Sequence, residues 1–97
     1  MKTLKKTLMS EKPTLAVFMR IGGQNASVVK LTMDELREKY ADRLEFIMVD
    51  ASFDSAVVEK YKLTHYPTWM LFKGQQEVWR AEGNRTVDDI AKAIESN

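Results

Sequence analysis

The amino-acid sequence predicts an α/β domain built on a mixed β-sheet. Two observations carry that expectation. Short apolar runs of strand length alternate with segments whose apolar residues recur at helical spacing. The last two strand candidates are joined by a glycine-containing turn, too short for anything but an antiparallel hairpin, whereas the first two are separated by a helix and so pair in parallel. Ninety-seven residues make a single domain, 1–97, and a 44% hydrophobic content supplies a packed core rather than a disordered chain.

The elements follow in order. Residues Lys2–Ser10 suit a short helix, with Leu4 and Leu8 one turn apart on one face, closed by Pro13, whose predecessor avoids helical angles. Residues 15–20, Leu-Ala-Val-Phe-Met-Arg, read as a strand buried on both faces. Gly22-Gly23 interrupts the chain. A helix is expected from Ala26 to Tyr40, capped by Asn25 and striped by Val29, Met33, Leu36 and Tyr40. Residues 44–50 form a second strand. Asp54 caps a short helix bearing Val57, Val58 and Tyr61. Residues 68–73 form a third strand, Gly74-Gln75-Gln76 the turn, and Glu77–Ala81 the fourth. A final helix starts after Thr86, with Asp89 placed for a capping box and Val87, Ile90, Ala91 and Ile94 on its core face.

Composition narrows the function. Fifteen basic residues face fourteen acidic ones, a net charge of +1, which argues against an electrostatic nucleic-acid binder. There is no cysteine, so disulfides, thiolate metal sites and thiol catalysis are excluded together. The basic start, Met1 to Lys6, is not followed by the roughly 7–15 apolar residues of a secretory signal, and no stretch reaches the roughly 18 of a membrane span. A soluble, cytoplasmic protein with no membrane partner is the expectation.

Several segments, in this order, resemble the thioredoxin family. Lys12-Pro13-Thr14-Leu15-Ala16-Val17-Phe18 is similar to the lead-in to that family's first central strand, and Val49-Asp50 through Glu59-Lys60-Tyr61 to its second strand and following helix. Tyr66-Pro67-Thr68 resembles the aliphatic-Pro-Thr signature, and Leu71-Phe72-Lys73 with Gly83 the closing hairpin. The likeness covers about residues 4–96. It implies a thioredoxin-like fold that lacks the family's extra N-terminal strand, leaving a four-stranded mixed sheet with helices on both faces. It also implies a cis bond before Pro67 and a groove in which the backbone of Tyr66, beside the N-terminus of the Ala26 helix, pairs with an extended peptide. The peptide-binding residues so implied are Gly22, Gly23, Tyr66, Pro67, Thr68 and Gly83.

The same likeness shows what is missing. Thioredoxins act through Cys-Gly-Pro-Cys at the start of the central helix, where the helix dipole and free N–H groups activate a thiolate. The corresponding stretch here is Gly23-Gln24-Asn25-Ala26, with Gly22 in place of the preceding Trp. The family's buried acid falls on Val17, its buried lysine on Met48 and its helix-kinking proline on Leu31. Burying a charge costs several kcal/mol, so Val17 and Met48 are expected to turn a proton-handling pocket into ordinary core.

Other chemistries are weakly supported. Ser27 and His65 are the nearest nucleophile and base types, but such a pair needs an orienting acid and an oxyanion hole, and the simpler expectation is a first-turn serine and a surface histidine. One histidine and no cysteine leave no metal set, and no cofactor is expected. The Gly22–Ser27 loop suits a peptide carboxylate better than a nucleotide. Trp69 and Phe72 are expected in the core, Trp79 is divided between core and edge surface, and Tyr66 is the best single contact residue. The reading is a redox-inactive protein- or peptide-binding module and not an enzyme. Its alternatives are an oxidoreductase by homology only, or a structural subunit forming a weak homo-oligomer through the edge strand near Trp79.

Overall fold

A computed structural model describes residues 3–20 and 26–97. Its centre is a strand β1 (Thr14–Met19), of which every residue but Met19 is buried. A strand covered on both faces must be apolar throughout, and Leu15-Ala16-Val17-Phe18 meets that demand. β1 pairs in parallel with β2 (Glu45–Asp50) and antiparallel with β3 (Thr68–Lys73), which pairs antiparallel with β4 (Gln76–Glu82). The resulting mixed sheet has the order β2-β1-β3-β4.

The first helix, α1 (Leu4–Leu8), is shorter than the Lys2–Ser10 segment expected of it. Thr3 caps it through a bond from the Lys6 N–H. It ends because Met9 and Ser10 bond back three residues, to the carbonyls of Lys6 and Thr7, tightening the last turn. Helix α2 (Ala26–Tyr40) has the expected bounds and buries Val29, Thr32, Met33, Leu36 and Tyr40. Its predicted cap, Asn25, lies outside the described residues. The Tyr40 carbonyl accepts from both Arg43 and Leu44, and the Glu45 N–H bonds to Pro13, which turns the chain into β2.

Helix α3 (Ser55–Tyr61) starts on Asp54, whose carboxylate accepts from the Val57 N–H. It ends on Lys62 at φ +53°, a left-handed cap in which the Lys62 and Leu63 N–H groups return to Glu59 and Val58. The β3–β4 hairpin turns on Gly74 at φ +63°, where a side chain would be strained. β4 runs one residue beyond the expected Glu77–Ala81 at each end and carries a bulge beside Leu71 and Phe72. Helix α4 (Val87–Ser96) has the reciprocal capping box of Thr86 and Asp89.

The sheet separates two cores. On one face α2 and α4 pack on Leu15, Val17, Trp69 and Leu71. On the other, Leu8 of α1 and the half-buried Val57, Val58 and Tyr61 of α3 cover Ala16, Phe18, Met70 and Phe72. The Tyr61 ring sits 5.3 Å from Phe18 and 5.7 Å from Phe72, so α3 is held down mainly by one aromatic contact set. Trp69 and Phe72 are both core, on opposite faces, and Trp79 is half-buried against the α2–α4 core.

One expectation about the interior fails. Val17 is fully buried, but Met48 is 38% exposed. The two are paired across β1 and β2. β2 is an edge strand, so Met48 has a strand neighbour on one side only and remains partly in solvent.

Candidate functional site

Four of the six residues expected to form a groove, Tyr66, Pro67, Thr68 and Gly83, lie where β3 begins and β4 ends. The Tyr66–Pro67 bond is cis. The Thr68 hydroxyl donates to the His65 carbonyl at 2.6 Å, folding the segment back over Pro67. The Gly83 N–H donates to the Pro67 carbonyl at 2.8 Å, so two positions sixteen apart in sequence share one hydrogen bond. Gly83 stands at φ +82° with open space around its missing side chain. The backbone angle, not crowding, is what calls for glycine there.

Tyr66 is half-buried, and its ring carries the Arg20 guanidinium 5.5 Å from its centroid. Among the described residues its backbone N–H and C=O take no partner. Buried main-chain groups are almost always paired. Gly22, Gly23, Gln24 and Asn25 lie outside the described residues. Ala26 opens α2 half-buried, and Ser27 beside it is exposed.

A polar cluster borders this corner. The Thr64 hydroxyl donates to Glu82 Oε2 at 3.0 Å, and His65 Nδ1 lies 3.0 Å from that hydroxyl and 3.3 Å from the same carboxylate oxygen. The hydrogen bond from Thr64, then that from His65, holds the Glu82 carboxyl below its usual range. The cluster is not a catalytic relay. A relay uses the two ring nitrogens separately, one toward the acid and one toward the nucleophile, whereas here a single nitrogen meets both. Ser27 shares no hydrogen bond with His65, so the nucleophile–base pair considered from sequence is not assembled. Among the described residues no group of three His, Cys, Asp or Glu could hold a metal ion.

Beside Tyr66 an open cleft of about 530 Å³ is lined by Arg20, Ala51, Ser52, Phe53, Val58 and Leu63, with Ser55 and Thr64 at its margin. Sequence reasoning missed this cleft, along with Thr64, Glu82 and Arg20. The available signals were weak: Thr64 adjoins His65, Glu82 adjoins Gly83, and Arg20 ends an apolar strand.

A parallel strand pair, an antiparallel hairpin, helices on both faces and a cis-proline corner define a thioredoxin-like fold. The sequence profile of the thioredoxin family matches residues 27–96, and the chain belongs to that family. It is 25% identical over 87 residues to the chloroplastic Thioredoxin Y of Oryza sativa subsp. japonica, covering 90% of this chain and 52% of that protein. It is 25% identical over 88 residues to the chloroplastic Thioredoxin Y1 of Arabidopsis thaliana, covering 91% and 51%. The chain thus spans about half the length of the curated relatives it matches. Among solved structures it superposes on thioredoxin-2, described as a component of malaria parasite protein secretion machinery, with a TM-score of 0.85 at 20% identity, covering 92% of this chain and 86% of that one. Against this background the absence of cysteine is the distinguishing feature: thiol–disulfide exchange begins with a thiolate, and this chain holds none.

Proposed function

We propose that this chain is a redox-inactive thioredoxin-like module that binds an extended segment of a protein partner at the Tyr66–Thr68 corner and catalyses no reaction. The backbone N–H and C=O of Tyr66, which take no partner among the described residues, are the observation that carries this reading. Pairing such groups with an added strand gives affinity through the main chain, while neighbouring side chains choose the sequence. The half-exposed Tyr66 ring is a suitable anchor, because aromatic side chains that lose water on binding supply a disproportionate share of interface energy. Gly83, tied to Pro67, leaves the far wall of the corner without a side chain.

The test has two arms. In an insulin-reduction assay with dithiothreitol, the protein leaves the rate at the reagent's own background. Random peptides selected on the wild-type protein lose roughly tenfold or more in affinity for a Tyr66→Ala variant, as expected for removal of a central aromatic anchor. Turnover above background refutes the inactive reading. Selected peptides that bind the variant unchanged refute the groove.

A further inference from the structure

We infer that the cleft beside Tyr66 selects acidic peptides, taking an aromatic or aliphatic side chain of the bound segment with a carboxylate next to it. The inference rests on the peptide-binding reading above and names the chemistry of that partner.

The cleft combines three features. Its floor is apolar, formed by Ala51, Val58 and Leu63. Phe53, at 90% exposure the most exposed large hydrophobic among the described residues, and the half-buried Tyr66 line it as well. Its charge is one-sided. Arg20 lines it, and among the described residues no Asp or Glu does. Arg20 also has no carboxylate partner among the described residues, since the four ion pairs engage other cations. Three acids adjoin the lining without belonging to it, each with a partner of its own: Glu82 is held by Thr64 and His65, Asp50 accepts from the Ser52 N–H, and Asp54 caps the helix through the Val57 N–H. The guanidinium instead lies 5.5 Å from the Tyr66 ring centroid, and among the described residues no hydrogen bond takes its N–H groups, which can meet a planar carboxylate.

A side chain entering the cleft that Phe53 and Tyr66 line would cover apolar surface that is now wet. A carboxylate beside it would meet Arg20 at the rim. Lysine or arginine in that place would face an unpaired like charge, and juxtaposed like charges are a strong device for rejecting partners.

Three labelled Gly/Ser peptides test this, carrying Asp-Phe-Asp, Gln-Phe-Gln or Lys-Phe-Lys at the centre, with binding read by fluorescence anisotropy at low salt. The acidic peptide is expected to bind about tenfold more tightly than the basic one, a preference that added salt erodes. An Arg20→Gln variant, an exposed change checked for folding by its melting curve, equalises the three. Phe53→Ser weakens all three while keeping their order. Equal binding of the three peptides to the wild type, or an order that survives Arg20→Gln, overturns the acidic selectivity; if Tyr66→Ala still weakens every peptide, the groove itself stands. No saturable binding by any of the three, together with indifference to Tyr66→Ala, overturns the groove as well.

Discussion

Val17 shows how a single side chain closes off a chemistry. It is fully buried in β1, paired with Trp69 on one side and Met48 on the other. Replacing it with Asp puts a carboxylate among Leu15, Val29 and Trp69 without a counter-charge, at a cost of about 3 kcal/mol or more at neutral pH. Burial raises the carboxyl's pKa in the folded state, so the penalty is small below the ordinary value of about 3.9 and grows above it. Denaturant titrations of Val17→Asp at acid and neutral pH check that slope. Glu82 has the opposite sign. Its carboxyl lies below the usual range in the folded protein, so its stabilising contribution is present above about pH 4.3 and is lost as pH falls through the folded value. The gap in melting temperature between wild type and Glu82→Gln is therefore expected near neutrality and closes in acid. A gap that persists at about pH 2 would contradict the assignment. At this scale the sequence was legible where identity alone decides, as with Val17 or the missing sulfurs. It was illegible where a partner comes from far along the chain: nothing local pairs Thr64 with Glu82, or sets Arg20 over Tyr66.

Among the elements, α3 is the least secured. None of its residues is fully buried, and its attachments are the half-buried Val57, Val58 and Tyr61, the Asp54 cap and one distant side chain. That side chain is Arg80 of β4, which donates to the Tyr61 carbonyl at 2.7 Å while Glu77 holds its Nε and Nη2 at 2.9 Å. Glu77 also pushes the Arg80 pKa further up. Arg80→Lys cannot keep the two-pronged contact and the carbonyl bond together. Hydrogen exchange is therefore expected to be fastest in α3, faster still in Arg80→Lys, and slowest in β1 and β3. Equal protection of α3 and β1 would refute this ranking. Helix α4 is the contrasting case: Ile90, Ala91, Ala93 and Ile94 are buried, and removing its cap by Thr86→Ala costs about 1 kcal/mol in a chemical melt. Periodicity made α2 readable at both ends, and the caps Asp54 and Thr86 showed where α3 and α4 begin. α1 was read too long, because two apolar residues one turn apart do not specify where tight three-residue bonds take over.

For the molecule as a whole, order and spacing of weak motifs made the fold legible. No one segment requires the β2-β1-β3-β4 sheet, but a helix between β1 and β2 and a two-residue turn between β3 and β4 leave few alternatives. The site was half legible. Tyr66, Pro67, Thr68 and Gly83 are adjacent in space, whereas the cleft is built from Arg20 just after β1, the β2–α3 loop, α3 and the segment after it, which only the folded chain assembles. The chain belongs to the thioredoxin family and holds no cysteine, and the proposed function rests on its Tyr66–Thr68 corner. Backbone amide NMR during titration with a selected peptide probes that corner most directly. The account predicts saturable shift changes concentrated at Arg20, Phe53, Tyr66, Thr68 and Gly83, with the outer faces of α2 and α4 unmoved. Shifts centred on those helices, or on the β4 edge near Trp79, would contradict it.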